Sequence, residues 1–362
     1  MTEERILLAH GDGGALTHRL VKEIFLRYLR HPALRELTDA ALLHLPEGRL
    51  AMTTDTFVVK PIFFPGGDIG KLAVAGTVND LAVTGARPRY LTAGFILEEG
   101  FPLADLERVV ASLARTAQEA GVAIVAGDTK VVERGCGDGI YINTAGVGVV
   151  ADGCDLGYHR IMPGDVVLIN GTIGDHGLSI LSKRAGIEFE TPVESDCAPL
   201  NGVTEMLLDR FPDSIRFMRD PTRGGVATTL NEVSQSTGCD IILDESALPI
   251  REEVQGAAEL LGLDPLYLAN EGKVLIVAAS DAAEAILSAL REHPLGSDAA
   301  AIGRVEAGRG GAFSPGAGQA SELTAEPGPV SAQGKGRVFL RTPLGGHRIL
   351  DMLAGDPLPR IC

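Results

Sequence analysis

Apolar side chains along this chain recur with two different periods, and the alternation between them outlines the fold. Over 103–120, Leu103, Leu106, Val110, Leu113 and Ala117 fall three and four apart, the spacing that lines one buried stripe of an α-helix. Residues 68–84 read as a second helix. Between and around these, 49–60, 90–97, 122–126 and 140–150 are rich in β-branched and other apolar residues and predict strands. The second half repeats the pattern. It has helices near 176–185, 199–210, 226–237 and 251–261, and strands near 166–170, 240–243, 273–279 and 300–305. Residues 337–342 look like a short strand and 345–353 like one or two helical turns.

The stretch 151–164 turns polar and Gly-rich and closes on Met162-Pro163-Gly164-Asp165, a turn signal that marks a domain boundary. Gly, Ala, Pro and Ser dominate 308–336, which cannot bury a core and predicts a linker or surface loop. The expected organisation is a Gly-rich segment and helix at 1–40 and α/β domains at 41–152 and 153–307. A disordered insertion at 308–336 and a last strand with a mobile tail at 337–362 complete it. Pro357 and Pro359 keep that tail extended.

Composition narrows the function. The 362 residues carry 32 Lys plus Arg against 48 Asp plus Glu, a net charge of −16, which repels phosphate backbones and argues against nucleic acid as a partner. Gly is abundant at 45, Trp is absent and Tyr numbers 5, which favours sites lined by backbone over aromatic stacking. The 5 cysteines show no C-x-x-C spacing, so neither a disulfide framework nor a zinc site is suggested and a reducing cytoplasm fits. No apolar run approaches a bilayer span, and the first residues do not read as a signal peptide.

Four pieces pair an acid or histidine with small residues: His10-Gly11-Asp12-Gly13-Gly14, Thr53-Thr54-Asp55-Thr56, Gly76-Thr77-Val78-Asn79-Asp80 and Gly127-Asp128-Thr129-Lys130. Each alone is more often a helix or turn cap. Together they describe a metal–nucleotide site, with carboxylates holding Mg²⁺ and glycines admitting backbone N–H groups to phosphates. Known nucleotide fingerprints are missing. Gly66 to Leu72 lacks the length and the hydroxyl of a P-loop, and Gly146-Val147-Gly148 lacks the third glycine of a dinucleotide turn. Asp220-Pro221-Thr222-Arg223-Gly224-Gly225 precedes a helix and suits an anion cradle. Asn270-Glu271-Gly272-Lys273 offers a carboxylate and an ammonium before a buried strand. Cys362, on a proline-stiffened tail, suits a carrier thiol that enters an active site and withdraws.

These pieces, with Phe63-Phe64-Pro65-Gly66-Gly67, Gly94-Phe95-Ile96-Leu97-Glu98-Glu99-Gly100 and the ending Pro359-Arg360-Ile361-Cys362, resemble the HypE family of hydrogenase maturation proteins. That family sits in the aminoimidazole-ribonucleotide-synthetase-like (PurM-like) superfamily. The resemblance covers nearly the whole chain, and the Pro-Arg-Ile-Cys ending is its most specific part. It implies a two-domain α/β fold whose amino-terminal sheets pair in a homodimer around Mg-ATP sites. It also implies a reaction, in which a carbamoyltransferase, HypF, loads a carbamoyl group on the terminal cysteine and ATP drives its dehydration to a thiocyanate. The cyanide ligand then passes to iron on a HypC–HypD scaffold.

Carried onto this sequence, the resemblance implies nucleotide contacts from His10, Gly11, Gly13, Gly14, Thr54, Asp55, Asn79, Asp80, Asp128, Thr129, Asn143, Arg223, Gly224 and Gly225. Mg²⁺ would be held by Asp55 and Asp80, with Asp128 and Asp220 as further candidates. Cys362 carries the substrate, and Lys130 and Glu271 are expected to flank it, the first as phosphate or amide orienter and the second as general base, or with these roles exchanged. Two rival readings remain. One is another ATP-using enzyme of the superfamily, such as a thiamine-monophosphate-type kinase or a selenophosphate synthetase, although no cysteine precedes Cys136 as the latter would need. The other is a non-catalytic thiol carrier.

Overall fold

Near the amino terminus a helix α1 (Ala15–Leu20) runs through a π-helical turn (Val21–Phe25) into α2 (Leu26–Tyr28). Strand β1 (Arg49–Phe57) follows, then a small pair, β2 (Phe63–Phe64) and β3 (Gly67–Asp68). Asp68 then caps helix α3 (Ile69–Val83) by accepting from the Gly70 and Lys71 amides at 2.8 and 3.0 Å, so the expected start at 68 is a true N-cap. Strand β4 (Ala86–Glu98), helix α4 (Leu103–Glu119) and strands β5 (Ala123–Val132) and β6 (Ile140–Val150) complete this part. The computed structural model describes residues 4–34, 40–185, 193–308, 336–353 and 360–362.

These residues fall into two units. The first takes Met1–Gly153, Ser179–Glu205 and Leu358–Cys362; the second takes Cys154–Leu178 and Met206–Pro357. In the first, four strands lie in the order β1-β6-β4-β5, with β4 and β5 parallel and the other pairs antiparallel. Helices α3 and α4 pack on one face. The buried stripe of α4 is Leu106, Val109, Val110, Leu113 and Ala117, close to the predicted one. The opposite face is open: Leu50, Met52 and Ile96 are exposed there, Met52 to 75%. The segment 193–201 is stitched to this unit by Ser195 N–H donating to Pro65 O at 2.8 Å and by the Asn201 amide donating to Ala120 O at 2.8 Å.

The second unit is built on seven strands in the order β13-β12-β9-β11-β7-β10-β8, antiparallel except where β12 pairs with β9. In chain order its elements are β7 (Val166–Ile169), β8 (Ile215–Arg219), α7 (Gly225–Thr237), β9 (Asp240–Asp244), α8 (Glu252–Leu261), β10 (Leu275–Ala278), α9 (Ala283–Glu292), β11 (Ala300–Glu306), β12 (Val338–Arg341) and β13 (His347–Leu350). Helices α5 (Asp175–Ala185) and α6 (Asn201–Arg210) contain the points where the two units divide. Val167, Ile169, Val226, Leu230, Ile241, Leu243, Leu275 and Ile302 fill its core. One expectation is corrected: 345–353 is not helical. Thr342 N–H donates to Gly346 O at 2.8 Å, closing a hairpin that pairs His347–Leu350 with β12. Strand β8 and helix α9 also lie where the sequence pattern gave no element. The expected insertion at 308–336 falls, apart from its two end residues, outside the described residues, as do Pro357 and Pro359 of the tail.

Candidate active site

Strand alternation sorts the first unit's candidates onto two faces. On β1, Thr53, Asp55 and Phe57 turn toward α3, and Thr54 and Thr56 turn outward. A side-chain carbon placed on Gly76 of α3 would lie 3.6 Å from Asp55 Oδ2. One helical turn on, Asp80 Oδ2 accepts from the Thr53 hydroxyl at 2.9 Å. Asp55 and Asp80 therefore line one groove between β1 and α3. Asp128 does not join them. Register pairs Thr56 with Asn143, Asn143 with Gly94 and Gly94 with Asp128, so Asp128 lies on the outward face, on the opposite edge strand. Three strand spacings separate Asp55 from Asp128 by about 14 Å, and the two do not ligate one ion within this chain.

The outward face carries the remaining polar candidates. The Asn143 amide donates to Thr54 Oγ1, Asp55 O and Thr56 Oγ1 at 3.2, 2.9 and 2.9 Å, which fixes its orientation. Asp128 and Lys130 are exposed beside it on β5. Thr129, between them, is 9% exposed and turned inward, so it is not presented with its neighbours. The amino-terminal glycine loop lies against the same strand. A side-chain carbon on Gly11 would come within 2.6 Å of Val131 N, and only glycine permits that approach. His10 Nδ1 accepts from Leu7 N–H at 2.9 Å, and Gly13 N–H donates to the Thr17 hydroxyl at 2.9 Å. Gly14 precedes α1 as its N-cap. Asn79 is a correction: it is 1% exposed, donates to Ala198 O at 3.1 Å and accepts from Leu200 N–H at 2.7 Å. It anchors the 193–201 segment instead of facing a ligand.

Cys362 is half-buried on this unit. Its carbonyl accepts from Val58 N–H at 3.2 Å and the Arg360 carbonyl accepts from Lys60 N–H at 3.2 Å, an antiparallel pairing just beyond β1. Ile361 between them is 5% exposed.

In the second unit Asn270 is a hub that sequence reasoning passed over. Its side chain donates to Pro221 O at 3.0 Å and Leu268 O at 3.1 Å, and it accepts from Gly174 N–H at 2.8 Å. This ties the loop holding Asp220 and Arg223 to the loop holding Glu271, and both to the turn before α5. Glu271 is 2% and Lys273 8% exposed, so both side chains are buried. A side-chain carbon on Gly171 would meet Lys273 Cε at 3.0 Å, so the lysine stem lies over that glycine. Asn170 holds the far end, donating to Gly272 O and Leu295 O at 3.3 and 2.8 Å. Gly224 and Gly225 begin α7 with φ of +75° and +61°, and a side-chain carbon on Gly225 would meet Leu266 O and Leu268 O at 2.5 Å. Asp175 is buried at the start of α5 and accepts from the hydroxyl of Thr172, three residues before it.

The donor set suits Mg²⁺, which takes oxygen ligands, keeps several waters and uses one or two carboxylates with substrate phosphates instead of an all-protein cage. Asp55 and Asp80, lining one groove, are the pair that could supply those two. Among the described residues no group of three or more His, Cys, Asp or Glu side chains forms such a cage. Among them, too, no helix is long and apolar enough to cross a membrane.

Known proteins match the chain over most of its length. Residues 37–150 match the model of the AIR synthase related protein N-terminal domain, and residues 162–314 that of the C-terminal domain. A protein of Azotobacter vinelandii named carbamoyl dehydratase HypE is 49% identical over 355 residues, 98% of this chain and 96% of that protein. The crystal structure of a hydrogenase maturation protein HypE in complex with ATP is 49% identical with a TM-score of 0.87, covering 98% of this chain and 99% of that one. A HypE–HypF complex is 46% identical with a TM-score of 0.74, covering 93% and 99%.

Proposed function

The chain belongs to the carbamoyl dehydratase HypE family of AIR-synthase-related proteins, and from that premise we propose how its own residues carry the reaction. It is an ATP-dependent dehydratase of hydrogenase maturation, and its substrate is a carbamoyl group on the sulfur of its own Cys362. The observation that carries this reading is the ending itself: Arg360, Ile361 and Cys362 are held against residues 58–60, just beyond the strand that bears Asp55.

The chemistry asks for three things. An amide oxygen is a poor leaving group, so it attacks the γ-phosphorus of ATP and ADP departs. Expulsion of that oxygen as phosphate, with loss of both N–H protons, leaves S–C≡N. Lys130 steadies the phosphate or the amide oxygen as charge develops. Glu271, 2% exposed, accepts a nitrogen proton. Asp55 and Asp80 hold Mg²⁺, which when bound neutralises triphosphate charge. The loop from His10 to Gly14 and the face bearing Thr54, Asn143 and Asp128 suit phosphate and ribose. Arg223 with Gly224 and Gly225 suits an anion at the start of α7, with Asp220 beside it as a further Mg²⁺ candidate.

The open face of the first sheet, with Leu50, Met52 and Ile96 exposed, favours a homodimer that packs these faces together. HypF is the partner that loads the thiol, and a HypC–HypD scaffold receives the cyanide ligand; the reaction is assigned to the cytoplasm. Removing Cys362 tests the reading. The shortened chain is expected to lose all carbamoyl-dependent ATP turnover, whereas a kinase acting on a free small molecule would keep its rate. A carrier without catalysis would show no ATP turnover in either form.

A further inference from the structure

The carboxy-terminal residues are held by more than backbone pairing. The Arg360 guanidinium bonds Asp138, and Lys60 Nζ lies 3.2 Å from the same carboxylate. The Arg360 carbonyl accepts from Arg184 Nη2 at 2.9 Å, and Arg184 also donates to Lys60 O at 3.0 and 2.8 Å. Arg360 takes φ of +60°, a conformation that residues other than glycine adopt only where their surroundings impose it. Asp138 is itself positioned. Glu98 of β4 accepts from Gly135 N–H at 2.6 Å and Gly139 N–H at 3.0 Å, pinning both ends of the loop that carries it. Those two backbone bonds hold the Glu98 carboxyl below its ordinary range. Burial works to raise the Asp138 carboxyl, but the Lys60 and Arg360 cations outweigh it and hold it low.

We propose that Asp138 and Arg184 form a clamp for the last residues of the chain, which registers Cys362 against Val58 while its sulfur is being processed. Asp138 reads the Arg360 side chain, and Arg184 reads the Arg360 carbonyl together with the carbonyl of Lys60, the residue it pairs with. Both are positioning residues: neither touches the sulfur. The clamp explains why arginine and isoleucine precede the cysteine, one for Asp138 and one for the buried slot. An ionic clamp suits an arm that must also be released for loading, since exposed ion pairs contribute little each and are screened by salt.

The proposal rests on the reading of Cys362 as the carrier of the substrate, and its test separates the two. The full-length chain is treated with iodoacetamide, and alkylation of the last peptide is followed by mass spectrometry. Arg360→Glu lies at the end of the chain and leaves the folded units intact; it is expected to alkylate Cys362 about fivefold faster. The reversed pair, Asp138→Arg with Arg360→Glu, is expected to return the rate to within about twofold of wild type. A rate unchanged by Arg360→Glu, or no recovery in the reversed pair, overturns the clamp. Single-turnover dehydration is measured alongside. Slower turnover in Arg360→Glu with recovery in the pair supports the clamp; equal turnover in all three overturns it. Failure of the wild-type chain to dehydrate at all would sink the carrier reading and leave the alkylation result to decide the clamp separately.

Discussion

The two units present their polar residues in opposite ways. In the first, Thr54, Asn143, Asp128 and Lys130 stand on an open sheet face to which strand register brings them. In the second, Asn270, Glu271 and Lys273 are nearly inaccessible, and the loops that carry them are tied together by the hydrogen bonds of Asn270. Exposed strand residues suit a ligand that brings its own charge and water. Buried loop residues suit a step in which one proton must move in a fixed direction, because low dielectric strengthens each bond and penalises any orphaned group. The difference teaches that one kind of site is set by sheet geometry and the other by side-chain wiring.

Substitutions should break that contrast unequally. Asn270→Ala removes the partner of the buried Gly174 amide and of the Pro221 and Leu268 carbonyls; it is expected to lower stability by roughly 3 kcal/mol, seen as a drop in the urea midpoint. Wild-type stability in that variant would mean that the loops are held by something else. Glu271→Gln keeps the shape and loses the base, so single-turnover dehydration should fall about a hundredfold while the melting temperature stays within a few degrees. Turnover at the wild-type rate would remove Glu271 from the chemistry. Lys130→Ala, on the exposed strand, should slow turnover roughly tenfold with no change in denaturation, and a large loss of stability would blur the contrast between the units.

The smallest effect concerns His293. Burial holds its imidazole below the ordinary 6.5, and its neutral Nδ1 accepts from Leu295 N–H at 3.1 Å. A lowered folded value means that the unfolded chain binds the proton more readily. This contribution is therefore complete above pH 6.5 and is lost as pH falls through the folded value. His293→Asn should flatten the decline in melting temperature between about pH 7 and pH 5; an unchanged slope would assign the decline elsewhere.

Much of the fold was legible. Helix α3 could be read from 68–84 because Asp68 is a cap and the helix is long, and β6 was legible over 140–150 because its alternation spans the whole strand. Short elements escaped: Ile215–Arg219 alternates over too few residues to stand out, and His347–Leu350 is a strand only because β12 offers it an edge. The site divides the same way. Local signals marked the acids and glycines, but the face each acid occupies depends on pairing register, which is a tertiary property. Asp55 and Asp128 looked equivalent in sequence and lie on opposite faces. Asn270 was visible beside Glu271, yet its role as hub depends on loops distant in the chain. The contact of Arg360 with Asp138 spans most of the chain and leaves no local pattern at all.

The most direct test is intact-mass spectrometry of the carbamoylated chain before and after MgATP. Loss of the mass of one water, confined to the peptide ending in Cys362, is the predicted result. ATP consumption with the carbamoyl group unchanged on that peptide would contradict the claim that the sulfur of this chain carries its own substrate.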